Sequence, residues 1–96
     1  MSIETIKEQV AEEYGVTVDS IESAAKNKNV SYARSMAMTL ANDLIPNLSF
    51  KDIGTAFNKG HTYVYEAIKR TRERICDDRY EQSAIYERLI HSLKNN

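Results

Sequence analysis

Apolar side chains return every three or four positions along most of the chain, and the places where that rhythm breaks divide it into helices. Ile3, Ile6, Val10 and Tyr14 form the first stripe and Gly15 follows as a stop, which predicts an amphipathic helix over residues 2–14 with an acidic outward face. Val16-Thr17-Val18 is a β-prone connector with no partner strand elsewhere, and Thr17 or Asp19 can cap a brief helix running through Ile21 to about Ala25. Lys26-Asn27-Lys28-Asn29 is a polar, basic loop, either a solvated connection or a segment resting against phosphates. Ser31 is suited to cap a third helix, whose stripe of Ala33, Met36, Ala37, Leu40, Ala41 and Leu44 marks it as the central core helix. Pro46 disfavours helical geometry at Ile45 and ends it.

The next stretch has two short periods around a polar break. Ser49 with Asp52 resembles a capping box, and Phe50, Ile53 and Phe57 share one helical face. Asn58-Lys59-Gly60 interrupts that face, with a glycine free to take positive φ. Val64, Ala67, Ile68, Thr71 and Ile75 then form a new stripe, while Lys69, Arg70, Arg72 and Arg74 lie mostly off it. This is the pattern of a helix-turn-helix at about residues 49–75, with the second helix as the candidate reader of DNA. Asp77-Asp78 marks another break, either aspartate being suited to cap a last helix carrying Ile85, Tyr86, Leu89, Ile90 and Leu93. The expected fold is all-α: one compact domain over residues 1–96 with five to six helices.

At 96 residues the chain has room for a single core. No apolar run approaches the roughly 20 residues of a membrane span, and the acidic start Met1-Ser-Ile-Glu lacks the features of an export signal, so the expected location is the cytoplasm. Cys76 is alone, which excludes an internal disulfide and reads as a small apolar residue near a helix end. The net charge of −1 conceals a strong asymmetry. Residues 1–25 carry one basic and six acidic side chains, a balance of −5; residues 26–75 carry nine basic and four acidic, a balance of +5. A basic middle segment hints at a polyanionic partner.

Converging reactive groups are scarce. His61 and His91 are far apart, neither belongs to a metal-binding spacing, and three isolated glycines cannot form a phosphate loop. The expectation is therefore a non-enzyme without metal, cofactor or small-molecule substrate. His61 and Thr62 fall at the start of the second motif helix, where side chains of a recognition helix meet base edges, although Thr62 can equally serve as that helix's cap. Tyr63, Glu66 and Arg70 follow on the exposed face. Arg70 suits a phosphate, whereas Glu66 is unfavourable there unless it accepts from a cytosine amine. Arg34 falls in the first turn of the third helix as read here, where the macrodipole disfavours a cation; either a local acidic partner or an external anion would answer it, and a narrow minor groove is one such anion.

These segments together carry a family resemblance. Ala33-Arg34-Ser35-Met36-Ala37-Met38-x-Leu40-Ala41-x-x-Leu44, then Ser49-x-x-x-Ile53-Gly54-x-x-Phe57, then His61-Thr62-x-Val64-x-x-Ala67 resembles the carboxy-terminal DNA-binding domain of the bacterial replication initiator DnaA. The likeness runs from the first helix to the last. It implies an all-helical domain whose helix-turn-helix enters the major groove of double-stranded DNA while an arginine reaches the adjacent minor groove. By position, Arg34 corresponds to that arginine, His61 and Thr62 to the major-groove readers, Ser49, Phe50 and Lys51 to backbone-facing positions, and Arg70 to a phosphate contact. Lys59, Gly60, Tyr63 and Glu66 complete the expected DNA-facing set.

The departures fall in the same place. Gly60 stands where the family usually has an acidic residue, Tyr63 where it has a second threonine, and the turn after Phe57 is one residue shorter. Each good base contact carries about 1–3 kcal/mol of discrimination, so two altered readers imply an altered box preference. From Met1 there is no room for the family's ATP-binding domain ahead of this one, and the expectation is a freestanding duplex binder in replication initiation or its regulation. The rival expectation is a protein-interaction module that kept the fold, lost DNA binding and docks on replication proteins.

Overall fold

The computed structural model describes residues 1–77 and 81–95. Six helices account for the architecture among them: α1 (Ile3–Tyr14), α2 (Val18–Glu22), α3 (Lys28–Leu44), α4 (Phe50–Phe57), α5 (His61–Ile75) and α6 (Gln82–Lys94). Each boundary has a local cause. The Ser2 hydroxyl accepts from the Thr5 amide and starts α1, and Gly15 ends it in the left-handed conformation at φ 67°. Thr17 caps α2, which stops at Glu22, three residues before the sequence reading ended it.

The start of α3 differs from expectation. Asn27, not Ser31, is the cap, its side-chain oxygen accepting from the Val30 amide at 3.0 Å. Half of the predicted polar loop is therefore the first turn of α3. Arg34 then falls in the second turn, where the macrodipole argument no longer applies. α3 is the central helix: every residue from Ala33 to Ala41 is buried, not only the apolar stripe. Thr39 meets that environment by donating its hydroxyl to the Ser35 carbonyl at 2.9 Å.

A single apolar cluster draws on all six helices, with Ile6, Val10, Ile21, Met36, Leu40, Ile53, Phe57, Val64 and Leu89 among its buried members. Burial of a side chain such as Phe57 stabilises by roughly 1.5–3 kcal/mol. α6 closes this core through Ile85, Leu89 and Leu93. Its N-cap is Glu81, so Asp77 does not cap it; Asp78 lies outside the described residues. Cys76, expected to be apolar filling, is exposed at the end of α5.

One interior contact escaped the sequence reading. Lys7 is 1 % exposed and lies beneath α1 with its ammonium donating to Glu22 Oε2 at 2.6 Å and to the Ala56 carbonyl at 2.5 Å, 4.8 Å from the centre of the Phe57 ring. It ties α1 to α2 and to the last turn of α4. A second polar junction joins α3, α5 and α6: Asp43 accepts from Arg72 at 2.7 Å and from the Tyr86 hydroxyl at 2.7 Å. Burial, reinforced by the Asp43 carboxylate, pushes the Tyr86 hydroxyl up to about 12.

Candidate nucleic-acid interface

α4 and α5 form a helix-turn-helix whose geometry depends on a capping box, a left-handed turn residue and a glycine. The Ser49–Asp52 capping box is complete, with Asp52 N–H donating to Ser49 Oγ at 3.0 Å and Ser49 N–H donating to Asp52 Oδ2 at 3.2 Å. The left-handed residue of the turn is Asn58 at φ 60°, and Gly60 has an ordinary φ of −78°. The close approach falls at Gly54 instead: Lys59 N–H donates to the Gly54 carbonyl at 2.8 Å, and a Cβ at position 54 would collide with the Lys59 carbonyl oxygen. The turn folds back over α4 because position 54 has no side chain.

α5 begins at His61 with Gly60 as its N-cap, and no side chain bonds its first-turn amides. Thr62 therefore lies inside the helix and is not its cap. Those amides and the positive end of the helix dipole stay open to an anion. His61 and Thr62 are exposed, with Lys69 also exposed farther along the same helix.

Two flanks border this crest. On the α4 side, the Phe50 and Tyr65 rings meet at 6.2 Å between centroids, which sets the exposed Ser49 and Lys51 beside α5. Tyr65 itself is 52 % exposed. On the α3 side, a cleft of about 210 Å³ is lined by Ser31, Ser35, Tyr63, Glu66, Arg70 and Arg74, among others. Lys59 lies across the Tyr63 ring at 5.2 Å from its centre. Ten of the eleven expected DNA-facing residues lie at the start of α4, in the turn or on α5, Phe50 among them being half-buried against the core.

Arg34 is the exception. It is 1 % exposed, whereas reading a groove would require an accessible guanidinium. Its Nε donates to the Ile21 carbonyl at 2.7 Å, Nη2 to the carbonyls of Ser20, Ser23 and Ala25 at 3.1, 2.9 and 3.1 Å, and Nη1 to the Tyr63 hydroxyl at 3.1 Å. The reason is geometric: the chain turns where α2 ends at Glu22, and carbonyls from its last turn and from the residues beyond it converge where one planar five-donor fork bonds them together. Lys26, in the connector that Arg34 holds, is exposed, whereas Lys28 lines a cleft with residues of α1 and α6 such as Glu13 and Ile85. Lys26 belongs to the basic loop of the sequence pattern and lies outside the expected DNA-facing set. Lys69 and Tyr65, also omitted, were recoverable from their positions off the buried stripe of α5.

The fold and this surface define a class, an all-helical domain organised around a helix-turn-helix. Residues 3–71 match the family model described as the bacterial dnaA protein helix-turn-helix. The chain belongs to this DnaA helix-turn-helix family. It is 32 % identical over 94 residues to the chromosomal replication initiator protein DnaA of Thermoanaerobacter sp. (strain X514), covering 98 % of this chain and 20 % of that protein. It is 35 % identical over 96 residues to chromosomal replication initiator protein DnaA 2 of Chlamydia trachomatis serovar D, covering all of this chain and 20 % of that protein. The DnaA of Thermosipho melanesiensis is 36 % identical over 70 residues, 73 % of this chain and 16 % of that protein. The chain thus spans about a fifth of the length of these relatives.

Proposed function

We propose that this domain binds double-stranded DNA, with α5 in the major groove and a box preference carried by His61 and Thr62, in replication initiation or its regulation. The observation that carries the reading is the first turn of α5: His61 and Thr62 are exposed at a helix start that no side chain caps, on a helix held by α4 through the Gly54 contact. Lys51 on α4, and Lys69 and Arg70 farther along α5, are exposed cations able to hold phosphates, and Lys26 is a further exposed cation outside the motif. No helix among the described residues is long and apolar enough to cross a membrane.

The test is selection from a random duplex library at near-physiological salt. An enriched motif is expected, and His61→Ala and Thr62→Ala should each flatten one or two of its positions, by about 1–3 kcal/mol per lost base contact. A library without enrichment, together with equal affinity of both variants for every duplex, would refute the reading. Glu66 and Glu73, both on α5 and outside its buried stripe, favour the second reading, a surface that docks on a replication protein. That reading expects no enriched duplex and salt-dependent capture of a basic protein partner.

A further inference from the structure

We propose that Tyr63 is a positioning residue: through its hydroxyl and the buried Arg34 guanidinium it sets the connector of residues 23–27 against the recognition helix, so that Lys26 meets the duplex backbone in register with α5. This rests on the DNA-binding reading above. The connector's two ends are anchored, by Asn58 Nδ2 donating to the Glu22 carbonyl at 3.3 Å and by the Asn27 cap of α3, and the stretch between them depends on Arg34. Glu22 is the last residue of α2, and the stretch before α3 is only five residues long. Its internal bonds are short-range ones, such as the Ala25 amide donating to Ser23 Oγ at 3.1 Å.

Arg34 supplies the long-range contact. Its Nε and Nη2 edge takes four carbonyls from residues 20–25, while Nη1 donates to the Tyr63 hydroxyl at 3.1 Å. Because the guanidinium is planar and rigid, fixing one edge fixes the other, and the connector and α5 are spaced by a single group. Among the described residues no carboxylate pairs with Arg34, so neutral oxygens alone satisfy it; each such bond is charge-assisted and stronger than a neutral one. Tyr63 is itself held from a second side, its ring lying beneath the Lys59 ammonium, and it is 38 % exposed. A side chain fixed at both ring and hydroxyl transmits position rather than adapting to a base.

Tyr63→Phe keeps the ring and removes only the acceptor. In anisotropy titrations of the full chain against its selected duplex and a scrambled one, the variant should lose about fivefold in affinity for both, the ordinary value of one hydrogen bond, with their ranking unchanged. The slope of log K against log salt should fall by up to about 1 as Lys26 loses its phosphate. In a Lys26→Ala background, Tyr63→Phe should cost nothing further. Equal losses in both backgrounds, or a changed preference at a single base pair, overturn the proposal, the latter making Tyr63 a base reader. Amide exchange in the free protein provides an arm that needs no DNA. The amides of residues 23–25 should exchange at least about tenfold faster in Tyr63→Phe while those of α5 stay protected; unchanged exchange overturns the positioning role even where no duplex is bound.

Discussion

Replacing Gly54 by alanine sets two effects of opposite sign against each other. Gly54 lies inside α4, where alanine is favoured by about 1 kcal/mol because it loses less backbone freedom on folding. Against this, the new methyl would fall under 3.0 Å from the Lys59 carbonyl oxygen, with the Lys59 carbonyl carbon at 3.3 Å and the Gly60 carbonyl carbon at 3.4 Å. All three are backbone atoms of the turn and cannot swing aside as a side-chain end would. Overpacking of this kind costs about 1–3 kcal/mol. Pushing the turn outward also lengthens the 2.8 Å bond from Lys59 N–H to the Gly54 carbonyl, worth about 1 kcal/mol. The sum is a net destabilisation of about 1–3 kcal/mol, or a fall in Tm of roughly 5–20 °C for a domain of this size. Gly60→Ala is the control, since a Cβ there meets nothing within 4 Å and φ is −78°. Its loss at an N-cap and its gain in backbone entropy nearly cancel, leaving it within about 1 kcal/mol of the parent. Urea denaturation and thermal melts followed by circular dichroism measure both. A Gly54→Ala protein as stable as the parent, or a Gly60→Ala protein as damaged as Gly54→Ala, would refute the reasoning.

Two further substitutions test the interior. Lys7→Met keeps the buried stem but strips the Ala56 carbonyl of its donor and Glu22 of its partner, and it should cost about 2 kcal/mol in urea denaturation; an unchanged or raised midpoint would show that the buried ammonium contributes no net stability. Burial raises the Asp43 carboxyl, but hydrogen bonds from Arg72 and Tyr86 outweigh that and hold it below its ordinary value. A depressed folded pKa gives stability that is present above the unfolded carboxylate value of about 3.9 and is lost as pH falls through the folded one. The stability gap between the parent and Asp43→Asn should therefore be widest near neutral pH and close in acid, and a gap constant down to pH 2 contradicts this account.

What could be read in advance was whatever depends on neighbours three or four residues away. The capping box at Ser49, the stop at Gly15, the end of α3 before Pro46 and the buried stripe of α5 are all of that kind, and all occur as expected. The start of α3 was misplaced because two capping residues compete there, and Asn27 prevails by giving Val30 a buried position in the first turn. Lys7 occupies a place on the α1 stripe between Ile3 and Val10, so its burial was visible in register. Its partners were not, because Glu22 and the Ala56 carbonyl are far away along the chain.

Periodicity and caps by themselves determined an all-helical chain, a helix-turn-helix near residues 49–75 and an exposed His61–Thr62 pair, because these follow from local backbone geometry and from which side chains avoid water. Tertiary structure alone decided which glycine the turn depends on and what Arg34 does. Gly54 matters because another part of the backbone passes over it, and Arg34 is buried because carbonyls at and beyond the end of α2 converge on its donors. A residue type states what bonds a side chain can make; only the packed fold states which partners are within reach.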